Sequence, residues 1–71
     1  MNIPEPKAKY GDKVSVLNYR LKPPRYDAGE CRGVQYKNSY GNKFSWQYDV
    51  FLDIGRGYFL YVGDDNIRKI K

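Results

Sequence analysis

Histidine is absent from this chain and cysteine occurs once, at Cys31. Without histidine there is no ordinary Ser/His or Cys/His nucleophile pair, and the usual zinc ligand sets cannot be assembled. One cysteine closes no intrachain disulfide, which suits a reducing cytoplasm. A lone thiol inside an alternating apolar run reads as a small core hydrophobe rather than a reactive thiolate. Long apolar runs are also missing: nothing approaches the roughly 18 apolar residues of a membrane span, and the start "MNIPEPKAKYGDK" has no apolar secretory core. The adjacent carboxylates Asp64 and Asp65 lie in "GDDN", a turn sequence before it is an acid/base pair. The expectation is a cytoplasmic protein that is not an enzyme, has no cofactor or metal and does not contact a membrane.

What is present is basic, aromatic and short. In 71 residues, thirteen Lys and Arg stand against eight Asp and Glu, a formal charge of +5 that favours an anionic partner, either nucleic acid or an acidic protein surface. A domain of this size buries only about 60% of the surface its unfolded chain exposes, so the core is thin. A monomer or weak homodimer is expected.

Period-two alternation dominates the chain. Residues 1–9, with prolines at alternate positions and almost nothing apolar to pack, read as a flexible N-terminal arm, leaving 10–71 as the folded domain. "KVSVLNY" (13–19) is a first strand, and "RLKPPRYDAGE" (20–30) a long loop in which Pro23 and Pro24 remove two donors and Asp27–Gly29 turn. "ECRGVQYKN" is a second strand with a bulge at Gly33, and "NSYGNK" a turn. "FSWQYDVFLD" (44–53) is the strongest strand: Phe44, Trp46, Tyr48, Val50 and Leu52 face the core, while Asp49 and Phe51 face out. "YFLYV" (58–62) is a fourth strand, and a tight turn or 3₁₀ segment precedes a short fifth near Ile67–Ile70. An open sheet of five short strands leaves one apolar face wet and two edges free, so closure into a small barrel is expected.

The order "YGDKVSVL", proline-containing loop, "GECRGVQY", "NSYGNK", "WQYDVFLD", "YFLYVGDDNIRKI" resembles the SH3-like small barrels, the group that includes Tudor, KOW and SH3 domains, over about residues 10–70. "GDKV" before the first strand and an aromatic strand followed by an acidic turn are especially similar to Tudor and KOW barrels. The barrel of photosystem I reaction-centre subunit IV is a more distant likeness. The resemblance implies an all-β, five-stranded barrel acting as a binding module. By analogy with Tudor domains, Tyr19, Tyr26, Tyr40 and Trp46 are candidates for an aromatic cage. The "ALYDY" motif and paired binding tyrosines of peptide-binding SH3 domains are not recognisable.

Three surfaces are candidates. Tyr19, Arg20, Lys22, Arg25, Tyr26 and Arg32 alternate rings with cations, as single-stranded nucleic acid requires, since bases stack while phosphates pair with Lys and Arg. Lys37, Tyr40 and Lys43 at the following turn extend this set if the fold brings the two together. Phe51, Phe59 and Tyr61, outward and near Asp49, Asp53, Asp64 and Asp65, suit a protein partner instead.

Overall fold

The computed structural model describes residues 3–41 and 43–70, apart from the side chains of residues 39 and 40. Five antiparallel strands form: β1 (Lys13–Asn18), β2 (Arg25–Tyr40), β3 (Lys43–Leu52), β4 (Tyr58–Gly63) and β5 (Ile67–Lys69). The protein is all-β, and the expected 3₁₀ turn, Asp64–Asn66, is the only helical segment among the described residues. No helix among them is long and apolar enough to cross a membrane. The strands lie side by side in the order β4-β3-β2-β1-β5.

β2 belongs to two ladders. Arg25–Glu30 pairs with β1 and Glu30–Tyr40 with β3. The residues expected to turn, Asp27, Ala28 and Gly29, instead pair with Val16, Ser15 and Val14. The prolines interrupt pairing only as far as Pro24, and the connection shortens to residues 19–24. Gly29 is needed for close approach rather than for a turn: a Cβ there would lie 2.7 Å from Leu52 Cδ2 and Val50 Cγ1. The ladder slips between Cys31 and Gly33, so the bulge falls where the glycine suggested, with Arg32 as its extra residue.

The strand bends across this region and the sheet folds on itself. β1 and β4 are three places apart, about 14 Å in a flat sheet at the usual spacing. Yet Asn18 Nδ2 donates to Tyr58 Oη at 2.6 Å, and Tyr19 Oη donates to the Tyr61 carbonyl at 3.3 Å. Between the two halves lies one core of Val14, Val16, Cys31, Tyr48, Val50, Leu52, Leu60, Val62 and Ile67. Burial pushes the Cys31 thiol pKa up, in keeping with its reading as a core residue. The sheet is not closed into a barrel: β4 and β5 remain its two edges, and their side chains, rather than a shared ladder, fill the gap.

The core stripe of β3 is shorter than its alternation suggests. Tyr48, Val50 and Leu52 are fully buried, but Trp46 is only partly buried and Phe44 is 55% exposed, which corrects its reading as core. β4 covers β3 only from Gln47 to Leu52, and β1 covers β2 only to Glu30. Residues 34–41 and 43–46 therefore run beyond both layers as the two arms of a hairpin, along a molecule 41 Å long and 24 Å wide.

The N-terminal segment packs against the root of this hairpin. Ala8 is 1% exposed within the core, from a segment in which almost nothing apolar was expected to pack. Trp46 Nε1 donates to the Pro4 carbonyl at 2.8 Å, and Lys7 N donates to Tyr48 Oη at 2.9 Å.

Candidate nucleic-acid interface

The residues expected to bind nucleic acid are divided among three places. Tyr19, Arg20, Lys22, Arg25 and Tyr26 surround the first loop, at the start of β2. The turn carrying Lys37 and Lys43 lies at the other end of that sixteen-residue strand, about 50 Å along the chain path at strand rise. Among the described residues, neither of the two recesses is lined by residues of both the first loop and this turn. The side chain of Tyr40 lies outside the described residues.

Around the first loop the polar groups engage one another. Asn18 is fully buried; its amide donates to Asp27 Oδ2 at 3.1 Å as well as to Tyr58, and its Oδ1 accepts from Arg20 N at 3.1 Å. Arg25 Nε pairs with Asp27 Oδ1 at 3.0 Å. The Arg20 guanidinium lies 5.3 Å from the Tyr58 ring centre, and Arg68 lies 4.4 Å from that of Tyr26. Half-exposed Tyr19 donates to the β4 backbone. These contacts tie β1, β2 and β4 together, and they leave Lys22 as the loop cation that makes no salt bridge, hydrogen bond or ring contact among the described residues.

Arg32 belongs elsewhere. The bulge places it 4.5 Å over the Phe51 ring, with its Nε 2.8 Å from Glu30 Oε1. That hydrogen bond holds the Glu30 carboxyl below the usual range. Phe51 in turn meets Phe59 edge-on at 5.5 Å, and Phe59 and Tyr61 are 40% and 51% exposed. Arg32 thus joins the surface expected to suit a protein, beside a recess of about 280 Å³ lined by Lys13, Glu30, Arg32, Phe51, Asp53 and Ile70. Its charges are mixed.

The hairpin differs in both respects. From Val34 to Gln47 the sequence contains no Asp or Glu, and its only charges are Lys37 and Lys43. Both lysines are exposed, and neither forms a salt bridge among the described residues. Cross-strand pairing sets Tyr36 opposite Trp46 and Asn38 opposite Phe44, so the three rings share one face. Tyr36 stacks on Phe44 at 5.6 Å and 25°, and lies 4.9 Å from Trp46. A recess of about 370 Å³ continues from Trp46 and Val34 to Pro6, Ala8, Lys9 and Tyr10. Tyr10 is 76% exposed.

The alternation of β3 places Phe44 and Trp46 on the core face, Trp46 being also a cage candidate, and gives Tyr36 and Tyr10 no binding role. The signal was legible in two lengths: a ten-residue β3 beside a six-residue β4 leaves its first residues without an opposite layer. Of the candidates for an aromatic cage, Tyr19 and Tyr26 lie around the first loop and Trp46 lies on the hairpin, and the side chain of Tyr40 lies outside the described residues. Among the described residues no cluster of three His, Cys, Asp or Glu side chains could hold a metal ion. No protein-family model, curated protein or solved structure matches this chain.

Proposed function

We propose that the protein is a non-enzymatic, SH3-like binding module that takes nucleic acid on the β2–β3 hairpin. The bent strand shared between two ladders and the 3₁₀ turn before the last strand support that fold class. The observation that carries the function is the hairpin's composition in its setting: an exposed Phe44 beside partly buried Tyr36 and Trp46, two exposed lysines and no carboxylate over residues 34–47. Phosphate meets no like charge there, and the protein's net charge of +5 draws an anion towards it. The first loop is a weaker candidate because Arg20 and Arg25 already contact Tyr58 and Asp27.

Fluorescence anisotropy of labelled oligonucleotides, with backbone amide NMR of the protein, tests this reading. Binding that weakens steeply as salt rises, with shifts over residues 34–47, is the expected result. Absence of binding at low salt overturns it.

A second reading rests on Arg32 over Phe51, the edge-on Phe51–Phe59 pair and exposed Tyr61. With Glu30, Asp49 and Asp53 nearby, that face disfavours phosphate and fits a protein partner. NMR shifts confined to β4 and Arg32 on addition of a partner protein, and none with oligonucleotide, would favour it.

A further inference from the structure

We infer that the hairpin recognises single-stranded nucleic acid through base stacking, with bases extending the column that ends at Phe44 and entering the recess beside Trp46. This rests on the nucleic-acid reading and narrows it to one substrate class. Trp46, Tyr36 and Phe44 are successive members of a contact series, at 4.9 and 5.6 Å, and the last is 55% exposed. Tyr36 and Phe44 are stacked, with ring planes 25° apart, whereas Tyr36 and Trp46 are tilted by 48°, so the stacked pair ending at exposed Phe44 is the part that a further flat ring can extend. At the other end, the recess of about 370 Å³ is walled by Val34, Trp46, Pro6, Ala8 and Tyr10, and Lys9 is the only charged residue lining it.

The chemistry of the site separates bases from other occupants. The indole N–H of Trp46 is already donated to Pro4, so the ring offers its face and edge but no free donor. Stacking without hydrogen-bond readout tolerates every base, so weak sequence preference follows. Duplex bases are stacked on their neighbours and do not present their faces to a side chain without being unpaired. Sheet-borne aromatics of this kind accommodate about two or three bases. Lys9 lines the recess and supplies complementary charge for a phosphate beside it, while Lys37 and Lys43 alternate with the ring-bearing positions, face the other side of the hairpin and add only longer-range attraction, with no carboxylate on the hairpin to oppose it.

Trp46 is the only tryptophan, so its fluorescence reports directly on the site. The full chain is titrated with a short oligothymidylate, an abasic strand of the same length, a matching duplex and an acidic peptide rich in aromatic residues. The single strand is expected to quench Trp46 and to bind about tenfold or more tighter than the abasic strand or the duplex, in line with the worth of one stacked base. Phe44→Ala lowers that affinity about tenfold and Phe44→Tyr restores it, whereas Lys22→Ala changes little; circular dichroism confirms that each variant is folded. If duplex or abasic strand binds as tightly as oligothymidylate and Phe44→Ala is silent, stacking is overturned while nucleic-acid binding stands. Binding of no oligonucleotide overturns both, as does Trp46 quenching by the peptide alone.

Discussion

Tyr48 Oη donates to Asp64 Oδ1 at 2.6 Å, joining the middle of β3 to the 3₁₀ turn that precedes β5. The same oxygen accepts from Lys7 N, and Lys7 Nζ donates to the Asp64 carbonyl at 2.7 Å, so one phenol links the turn to the N-terminal segment. Removing it in Tyr48→Phe leaves a carboxylate and a backbone N–H without their partner. The expected loss is about 1 to 3 kcal/mol, read as a lower midpoint in urea with an unchanged slope.

The same phenol sets an alkaline limit. Burial, and then the hydrogen bond to Asp64, push the Tyr48 pKa up from its ordinary value of 10 to about 12. The folded state therefore holds a proton that the unfolded state releases earlier, so this contribution is fully present below pH 10 and is lost as pH rises to about 12. Urea midpoints measured across that window should fall more steeply for the native chain than for Tyr48→Phe. Parallel curves would refute the assignment.

Asn18 is the buried knot of the first loop, and its side chain makes three hydrogen bonds, to Asp27, Tyr58 and the Arg20 backbone. Asn18→Ala strands two acceptors and a donor, and a loss of about 2 to 3 kcal/mol is expected. Asn18→Asp is more informative. Its carboxylate would face that of Asp27, so the variant's stability relative to native should fall as pH rises through the carboxylate range, the direction required when charge repulsion raises a pKa. A pH-independent difference in thermal midpoint would rule out this arrangement.

Gly29→Ala tests the fold of the sheet on itself. The added Cβ would meet Val50, Leu52 and the Phe51 carbonyl at 2.7 to 2.8 Å, and the backbone oxygen has little room to yield. Overpacking of this kind costs about 1 to 3 kcal/mol. An unchanged denaturation midpoint would mean that β2 and β3 do not approach as closely as described.

Strand content was legible because alternation is local: Val14 and Val16, or Tyr48, Val50 and Leu52, show the two-residue period however the strands later pair. What alternation cannot encode is how far the neighbouring strand extends. Phe44 and Leu52 occupy equivalent phases of one strand, yet one is 55% exposed and the other fully buried, because β4 stops opposite Gln47. The grouping of site residues failed for a related reason. Arg25 and Arg32 are close in sequence, but the bulge sends Arg32 onto Phe51 while Arg25 turns back to Asp27. Pairing partners across the sheet decided both cases, and those come from tertiary structure.

That contrast makes Phe44 and Leu52 a matched pair for experiment. If the hairpin extends beyond the core, Phe44→Ala removes a ring that contacts chiefly Tyr36 and should change stability by less than about 1 kcal/mol, within the range of an aromatic pair at a wet surface. Leu52→Ala empties a fully buried site and should lower stability by about 2 to 5 kcal/mol. Urea denaturation of both variants measures the ratio directly. Comparable losses would place Phe44 in the core, withdraw the exposed end of the aromatic column and leave the hairpin without the surface on which base stacking depends.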